Sequence, residues 1–329
     1  MFFKNFKTKS ALLLLTFILP LNALAYSDKI IAGGDNIGIT LNSKGILIVG
    51  TYDVDNLSPA KEAGLKNGDT IVSINGNQVN TINEMAEKIN EANSDEITVN
   101  YLRDKQSHQT NLKLYKDESN VYKTGLFVKD SITGIGTLTF IDPNTKKFGA
   151  LGHEIQEQST GKILEIKDGK IFDSTVTGII PSKDGNPGEK KAEYNADKIK
   201  GFTKENTTQG IFGDYTEQIV RDNLYKVAKP NEVTKGKAKM LTVLNGSEIK
   251  EYDINIIETN YSDQKNKNFV FEITDKNLLD KTGGIIQGMS GSPIVRDDYI
   301  LGAVTHVVVN DTQKGYGIFI TNMLEEAEK

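Results

Sequence analysis

The stretch Gly288-Met289-Ser290-Gly291-Ser292-Pro293 is the part of this chain best suited to covalent chemistry. A serine nucleophile needs its hydroxyl exposed on a tight, preformed turn, with backbone N–H groups aimed at the charge that develops during attack. Gly288 and Gly291 permit that geometry, because glycine enters positive φ without steric cost. The N–H groups of Gly288 and Ser290 form the expected oxyanion-hole pair. Ile294-Val295 then carries the turn into an apolar strand. Gly291 follows Ser290 directly, so Ser290 rather than Ser292 is the expected nucleophile.

Such a serine requires a general base within hydrogen-bond reach, held on a rigid element. His153 lies in Phe148-Gly149-Ala150-Leu151-Gly152-His153-Glu154, where small neighbours let another chain segment approach closely. His306, in Gly302-Ala303-Val304-Thr305-His306, is the rival base, although its strand is expected to flank the substrate cleft. His108 lies in a polar stretch of the N-terminal half and is set aside. A third group must orient the histidine and stabilise its cation. Asp275, which follows a strand and precedes the serine turn, is the expected one. Spacing leaves Asp142, Asp173, Asp214 and Asp280 open.

The elements that must position these groups read as mostly β. From Thr124 onward the chain is rich in glycine and β-branched residues. Strand-like runs occur at 135–141, 162–166, 175–180, 239–244, 252–257, 269–273 and 300–309. Turn clusters such as Asp142-Pro143-Asn144 separate them, which predicts a sandwich or barrel. One clear helix is expected at the C-terminus, from about Thr321. The serine turn resembles the Gly-Asp-Ser-Gly-Gly-Pro turn of trypsin-like serine peptidases, with Met289 and Ser292 at the two substituted positions.

The first half reads as a smaller α+β module over residues 36–116. Residues 37–41 and 44–49 are strand-like, with Asn42-Ser43 as turn residues between them. Ser58-Pro59-Ala60 through Gly64-Leu65 forms a helical turn, and Gly68-Asp69-Thr70-Ile71 turns into a strand. Asn75-Gly76 is a strong hairpin signal, since both central residues of a type I′ turn need positive φ. Thr81 with Glu84 makes a capping box for a helix over 83–92. This stretch resembles a PDZ domain. The resemblance implies peptide binding, with Gly38-Ile39-Thr40-Leu41 at the carboxylate-binding loop and the adjacent strand edge receiving the peptide. Residues 117–123 are polar and aperiodic, and read as a linker to a peptidase domain at 124–329.

Composition removes other chemistries. The 329 residues contain no cysteine, three histidines and three arginines, with a net charge of −5. Disulfides, thiolate metal sites and cysteine nucleophiles are thereby excluded, and the histidine spacing supports no metal site. No cofactor is expected. The acidic balance gives no electrostatic footprint for nucleic acid. At the N-terminus, Lys4, Lys7 and Lys9 precede the apolar run 11–19 and then Ala23-Leu24-Ala25. That is the pattern of an export signal over residues 1–25, either removed or retained with 11–25 as a membrane tether.

Taken together, Gly152-His153-Glu154, the run from Thr282-Gly283-Gly284 to Ser292-Pro293, Gly302-Ala303-Val304-Thr305-His306-Val307 and the PDZ-like module resemble the stage IV sporulation protein B (SpoIVB) family of serine peptidases. The resemblance implies a trypsin-like double β-barrel with a Ser290, His153, Asp275 triad. It also implies export across the forespore membrane into the intermembrane space, with self-cleavage and cleavage of a membrane-bound sporulation regulator that releases the sigma-K checkpoint. The alternative is a non-catalytic exported PDZ scaffold that only binds proteins.

Overall fold

The computed structural model describes residues 26–183, 185–221, 223–262 and 266–329. The expected export segment falls outside the described residues. In chain order the N-terminal elements are β1 (Lys29–Ala32), β2 (Asn36–Thr51), α1 (Pro59–Glu62), β3 (Thr70–Ile74), β4 (Asn77–Gln78), α2 (Ile82–Ala92), β5 (Glu96–Arg103) and β6 (Gln106–Lys113). Asn75 and Gly76 take φ of 49° and 78°, which closes the β3–β4 hairpin over two residues. Thr81 and Glu84 form the reciprocal capping box that starts α2. Arg103 grips the buried carboxylate of Asp69 with Nε at 2.7 Å and Nη2 at 2.6 Å, and so pins the turn that launches β3. Ile46, Ile48, Ile71, Ile74, Met85, Ile89, Val99 and Leu112 make this module's own core.

The expected turn at Asn42-Ser43 is not a reversal. β2 runs straight through it, with Gly45 at φ 99° and a register shift between Asn42 and Leu47 in its pairing with the strand beside it. The irregularity has a purpose legible in the burial pattern. Ile37, Ile39 and Leu41 point into one core, whereas Ile46 and Ile48 point into the module core. A one-residue slip exchanges the two faces of a strand. A single strand thereby serves two cores.

The segment expected as a linker folds back on itself as a ribbon of β7 (Tyr115–Lys116) and β8 (Tyr122–Lys123), its turn closed by the Asp117 carboxylate. The strands β9 (Leu126–Ile141), β10 (Lys147–Ala150), β11 (Ile166–Ile180), β12 (Glu189–Thr207) and β13 (Gly210–Tyr215) follow. They close with β2 into a six-stranded antiparallel barrel in the order β2-β9-β10-β13-β12-β11 and back to β2. Residues 162–165, expected as part of a strand, are instead a loop leading into β11.

After β14 (Leu224–Val227) come β15 (Gly236–Val243), β16 (Ile249–Thr259), β17 (Phe269–Ile273), α3 (Lys276–Thr282), β18 (Pro293–Arg296), β19 (Tyr299–Val308), β20 (Asp311–Phe319) and α4 (Ile320–Ala327). Strands β15-β16-β17-β20-β19-β18 close back on β15 as a second six-stranded antiparallel barrel. Each barrel is filled by inward-facing apolar residues, as closure of a small barrel demands. The first uses Ile39, Leu41, Phe148, Ile171 and Ile211, and the second Met240, Ile254, Phe269, Phe271 and Ile294. Met323 and Leu324 of α4 join a third cluster that bridges the barrels through Phe140, Phe212 and Ile318. The protein is thus mainly β, a double barrel with a PDZ module inserted into the first barrel's strands.

Candidate active site

Ser290 sits on the turn that enters β18, at the face of the second barrel that meets the first. Gly288 and Gly291 both take φ of 91°. A Cβ on Gly291 would stand 2.1 Å from the Thr137 carbonyl oxygen and 2.5 Å from the Leu151 nitrogen, so no side chain fits there. The turn is held from across the interface by β9. The Thr137 N–H donates to the Ser290 carbonyl at 3.0 Å, the Thr137 hydroxyl to the Gly288 carbonyl at 2.7 Å, and the Thr139 hydroxyl to the Gly291 carbonyl at 2.8 Å. Both threonine side chains are fully buried. The sequence alone does not mark them, because alternating threonines in Gly136-Thr137-Leu138-Thr139 look like any half-polar strand.

Within the turn, the N–H groups of Gln287, Met289, Gly291 and Ser292 are all donated to carbonyls. Among the described residues those of Gly288 and Ser290 have no partner, and they are two residues apart, as an oxyanion hole requires. The part-exposed Ser290 hydroxyl donates to the Thr305 carbonyl at 2.9 Å. Ser292 is fully buried and its hydroxyl is unpaired. The geometry therefore leaves Ser290 reachable and buries Ser292.

His153 follows β10 on a loop whose reversal needs Leu151 at φ 71° and Gly152 at φ 70°. A left-handed leucine is strained, and is retained only where the surroundings fix it. Here its side chain fills the space above Gly136, where a Cβ would stand 2.1 Å from Leu151 Cδ2. His153 Nδ1 lies 2.8 Å from the Glu154 carbonyl oxygen. Donation of Nδ1–H to that oxygen leaves the Nε2 lone pair free. The ring faces His306, with centroids 4.9 Å apart. Burial pushes the pKa of His153 below its ordinary value of 6.5. The pKa of His306 is lowered to about 4, through burial first and then the neighbouring His153 and Lys267. The structure thus gathers Ser290, His153 and His306, because β19 carries both Thr305, which holds the serine hydroxyl, and His306.

Asp275 is not brought to this cluster. Its carboxylate caps α3, accepting from the Leu278 N–H at 3.0 Å and the Asp253 N–H at 3.4 Å. The expected triad acid is therefore a helix cap in this structure, and the position facing His153 Nδ1 is filled by a main-chain carbonyl. The physical reason is local: fifteen residues back from Ser290 lies the start of α3, whose unpaired N–H groups attract the carboxylate. Three of the other four aspartates are engaged elsewhere, and Asp280 is exposed on α3. Asp142 accepts from Ser27, Asn144 and Thr145, Asp214 pairs with Lys147 and Lys204, and Asp173 pairs with Lys198 and Lys200. Among the described residues no carboxylate forms an ion pair with His153, and no cluster of three metal-ligating side chains occurs.

Gly38, Ile39, Thr40 and Leu41 do not form a carboxylate-binding loop. They lie in β2 and pair on one edge with β9, Gly38 opposite Ile135, and on the other with β11, Gly38 opposite Phe172. A loop that captures a carboxylate needs unpaired N–H groups, and here both strand edges are taken. The edge of β2 beside the module is also occupied, since Leu126 to Lys129 of β9 pair along it, and Asp130 accepts from the first N–H of α2 at 2.9 Å. Ile39 is 1% exposed in the first barrel's core. Ile39→Asp should consequently unfold that barrel, because an unpaired buried carboxylate costs several kcal/mol or more. A thermal melt checks this. A variant of normal stability that fails only on protein substrates would restore the binding-loop assignment.

Comparisons with known proteins divide the chain in two. Residues 120–324 match the family described as SpoIVB peptidase S55, and residues 36–114 match the PDZ domain family. The chain is 33% identical over 119 residues to a probable periplasmic serine protease do/HhoA-like of Haemophilus influenzae, which covers 35% of this chain and 24% of that protein. It is 37% identical over 81 residues to the zinc metalloprotease RasP of Shouchella clausii, covering 25% of this chain and 18% of that protein. The chain therefore matches a quarter or less of the length of these curated relatives. Among solved structures, the PDZ domain of the SdrC-like protein from Listeria monocytogenes is 24% identical, with a TM-score of 0.23, covering 26% of this chain and 90% of that one. The active form of the Rv3671c protease from M. tuberculosis is 13% identical, with a TM-score of 0.28, covering 58% of this chain and 71% of that one.

Proposed function

The chain belongs to the SpoIVB peptidase S55 family, and on that premise we propose that it is an exported serine endopeptidase with Ser290 as nucleophile and His153 as general base. One observation carries this reading. A part-exposed serine hydroxyl shares a rigid turn with two N–H groups that have no partner among the described residues, and that turn abuts Leu151 on the loop that carries His153.

In the first step the Ser290 hydroxyl exchanges its bond to the Thr305 carbonyl for one to His153 Nε2. It gives up its proton there as Oγ attacks the scissile carbonyl carbon. The N–H groups of Gly288 and Ser290 hold the oxyanion. His153, now cationic, passes its proton to the leaving amine, and a water repeats the sequence to release the acyl group. The Glu154 carbonyl keeps the ring in the required tautomer throughout, the office an aspartate performs in trypsin-like enzymes. Exchanging a carboxylate for a carbonyl gives less stabilisation of the cation.

The finer reading rests on the family and on the export pattern at residues 4–25. The peptidase acts in sporulation signalling from the intermembrane space, cleaving itself and a membrane-bound regulator, while the PDZ module selects the protein partner. β9 supports a coupling of module to chemistry, since its first residues complete the module sheet and its later ones, Thr137 and Thr139, hold the nucleophile turn. Incubating the purified protein alone and weighing the products tests self-cleavage. Discrete fragments suppressed by a fluorophosphonate are expected. An unchanged mass under conditions where a peptide is hydrolysed would remove self-cleavage from the account.

A further inference from the structure

Among the described residues Lys190 is the one lysine that the fold buries almost completely, at 2% exposure, and the mechanism above makes no use of it. It stands at the start of β12, where the β11–β12 hairpin reaches the second barrel. Its N–H donates to the Gln287 carbonyl at 3.0 Å, and the Gln287 N–H donates to the Gly188 carbonyl at 2.8 Å. The strand is thereby laced to the residue that precedes Gly288. The side chain then runs along Gly288 itself: the space a Cβ would take there lies 3.1 to 3.3 Å from Lys190 Cδ, Cβ and Cγ. Beyond it, Nζ donates to the buried Thr242 hydroxyl at 2.9 Å. Among the described residues no carboxylate lies within ion-pair distance of this ammonium.

We infer that Lys190 is a positioning residue for the oxyanion hole, bracing the Gln287-Gly288 peptide and setting a buried, unneutralised positive charge behind the Gly288 N–H. The inference rests on the reading of Gly288 and Ser290 as the oxyanion hole. Burying an unpaired charge is costly, and a hydrophobic side chain of equal length would stabilise the fold better. Two bonds separate Cδ from Nζ, which puts the ammonium on the order of 6 Å from Gly288, within the range at which an opposite charge is felt. The charge that develops in the transition state supplies the missing counterion. The ground state supplies none, so the effect falls on kcat more than on KM.

Burial alone lowers the pKa of Lys190 to about 7. The groups facing it are uncharged: Ile179 opposite on β11, the 287–289 turn, and Thr242 on β15, while its strand neighbours Glu189 and Lys191 are exposed on the other face. Its charged form is the useful one, so that contribution is present below about pH 7 and is lost as pH rises through it. Stability runs the other way. The unfolded lysine holds its proton up to 10.5, so the folded state gains stability from this group between about 7 and 10.5.

The test uses the full chain and a fluorogenic peptide, measured against pH. Lys190→Met, of matching length, should fold at least as stably. It should lose on the order of tenfold or more in kcat with KM within about twofold, a smaller loss than removal of a direct oxyanion donor. The alkaline fall of the parent near pH 7 should be absent from its profile. Thr242→Val, which removes only the partner of Nζ, should keep the acid-side kcat and move the alkaline fall to lower pH. Parental kcat and profile in Lys190→Met, or an unmoved alkaline limb in Thr242→Val, overturns the inference. Ser290→Ala in the same assay separates the two levels: turnover surviving there would discard the oxyanion-hole reading, and this inference with it.

Discussion

Ser290→Ala should abolish peptide hydrolysis and leave the melting temperature close to that of the parent. The hydroxyl makes one bond, to the Thr305 carbonyl, on a part-exposed side chain, so its loss costs the fold little. The chemical cost is of another order. Removing the nucleophile of a serine-protease unit lowers kcat on the order of 10⁶-fold in the subtilisin precedent. Ser292→Ala is the internal control. That hydroxyl is fully buried and has no partner, so deleting it removes an unsatisfied polar group and should change turnover only slightly. Exchange of the two phenotypes would show that the turn is read in the wrong register.

His153→Ala should match Ser290→Ala in severity, because members of one catalytic unit act non-additively. His306→Phe keeps an aromatic ring against His153 and should retain turnover within roughly tenfold, since its ring is asked only to pack and exclude water. Asp275→Asn should be close to the parent in both activity and stability, because asparagine caps a helix about as well as aspartate. A large loss of activity there, with the melting temperature unchanged, would return the carboxylate to the catalytic unit. The pH profile carries the sign. His153 must be neutral to accept the serine proton, and burial holds its pKa below 6.5. The acid limb of kcat/KM should therefore lie below pH 6.5. Stability should also fall as the pH drops below 6.5, because both histidines are protonated more readily in the unfolded chain. Full activity in His153→Ala with loss in His306→Phe would move the base to β19.

Local signals survived the passage from sequence to structure best. Asn75-Gly76 and the Thr81–Glu84 box specify their own geometry within a few residues. The glycines around Ser290 need positive φ whatever surrounds them, although the steric reason for Gly291 lies in Thr137 and Leu151 of the other barrel. Long-range choices were less legible. The alternation of Ile37, Ile39 and Leu41 is the same whether the strand belongs to a PDZ groove or to a barrel, and only the partners on β9 and β11 decide. Asp275 carries equal credentials in the sequence as a triad acid and as a helix cap, and in the structure its carboxylate goes to the Leu278 N–H of α3. Lys190 stands in Glu189-Lys190-Lys191, a run that reads as a solvated surface until the hairpin is seen to end against Gly288.

The central claim is that Ser290 is activated, and a fluorophosphonate probe followed by peptide mapping tests it most directly. Phosphonylation requires an ionisable serine hydroxyl, a base beside it and donors for the developing oxyanion, so a merely exposed serine does not react. The account predicts a single adduct on Ser290 in the parent protein, absent from His153→Ala and retained in Asp275→Asn. An unlabelled parent that is demonstrably folded, or an adduct on Ser292, would contradict it.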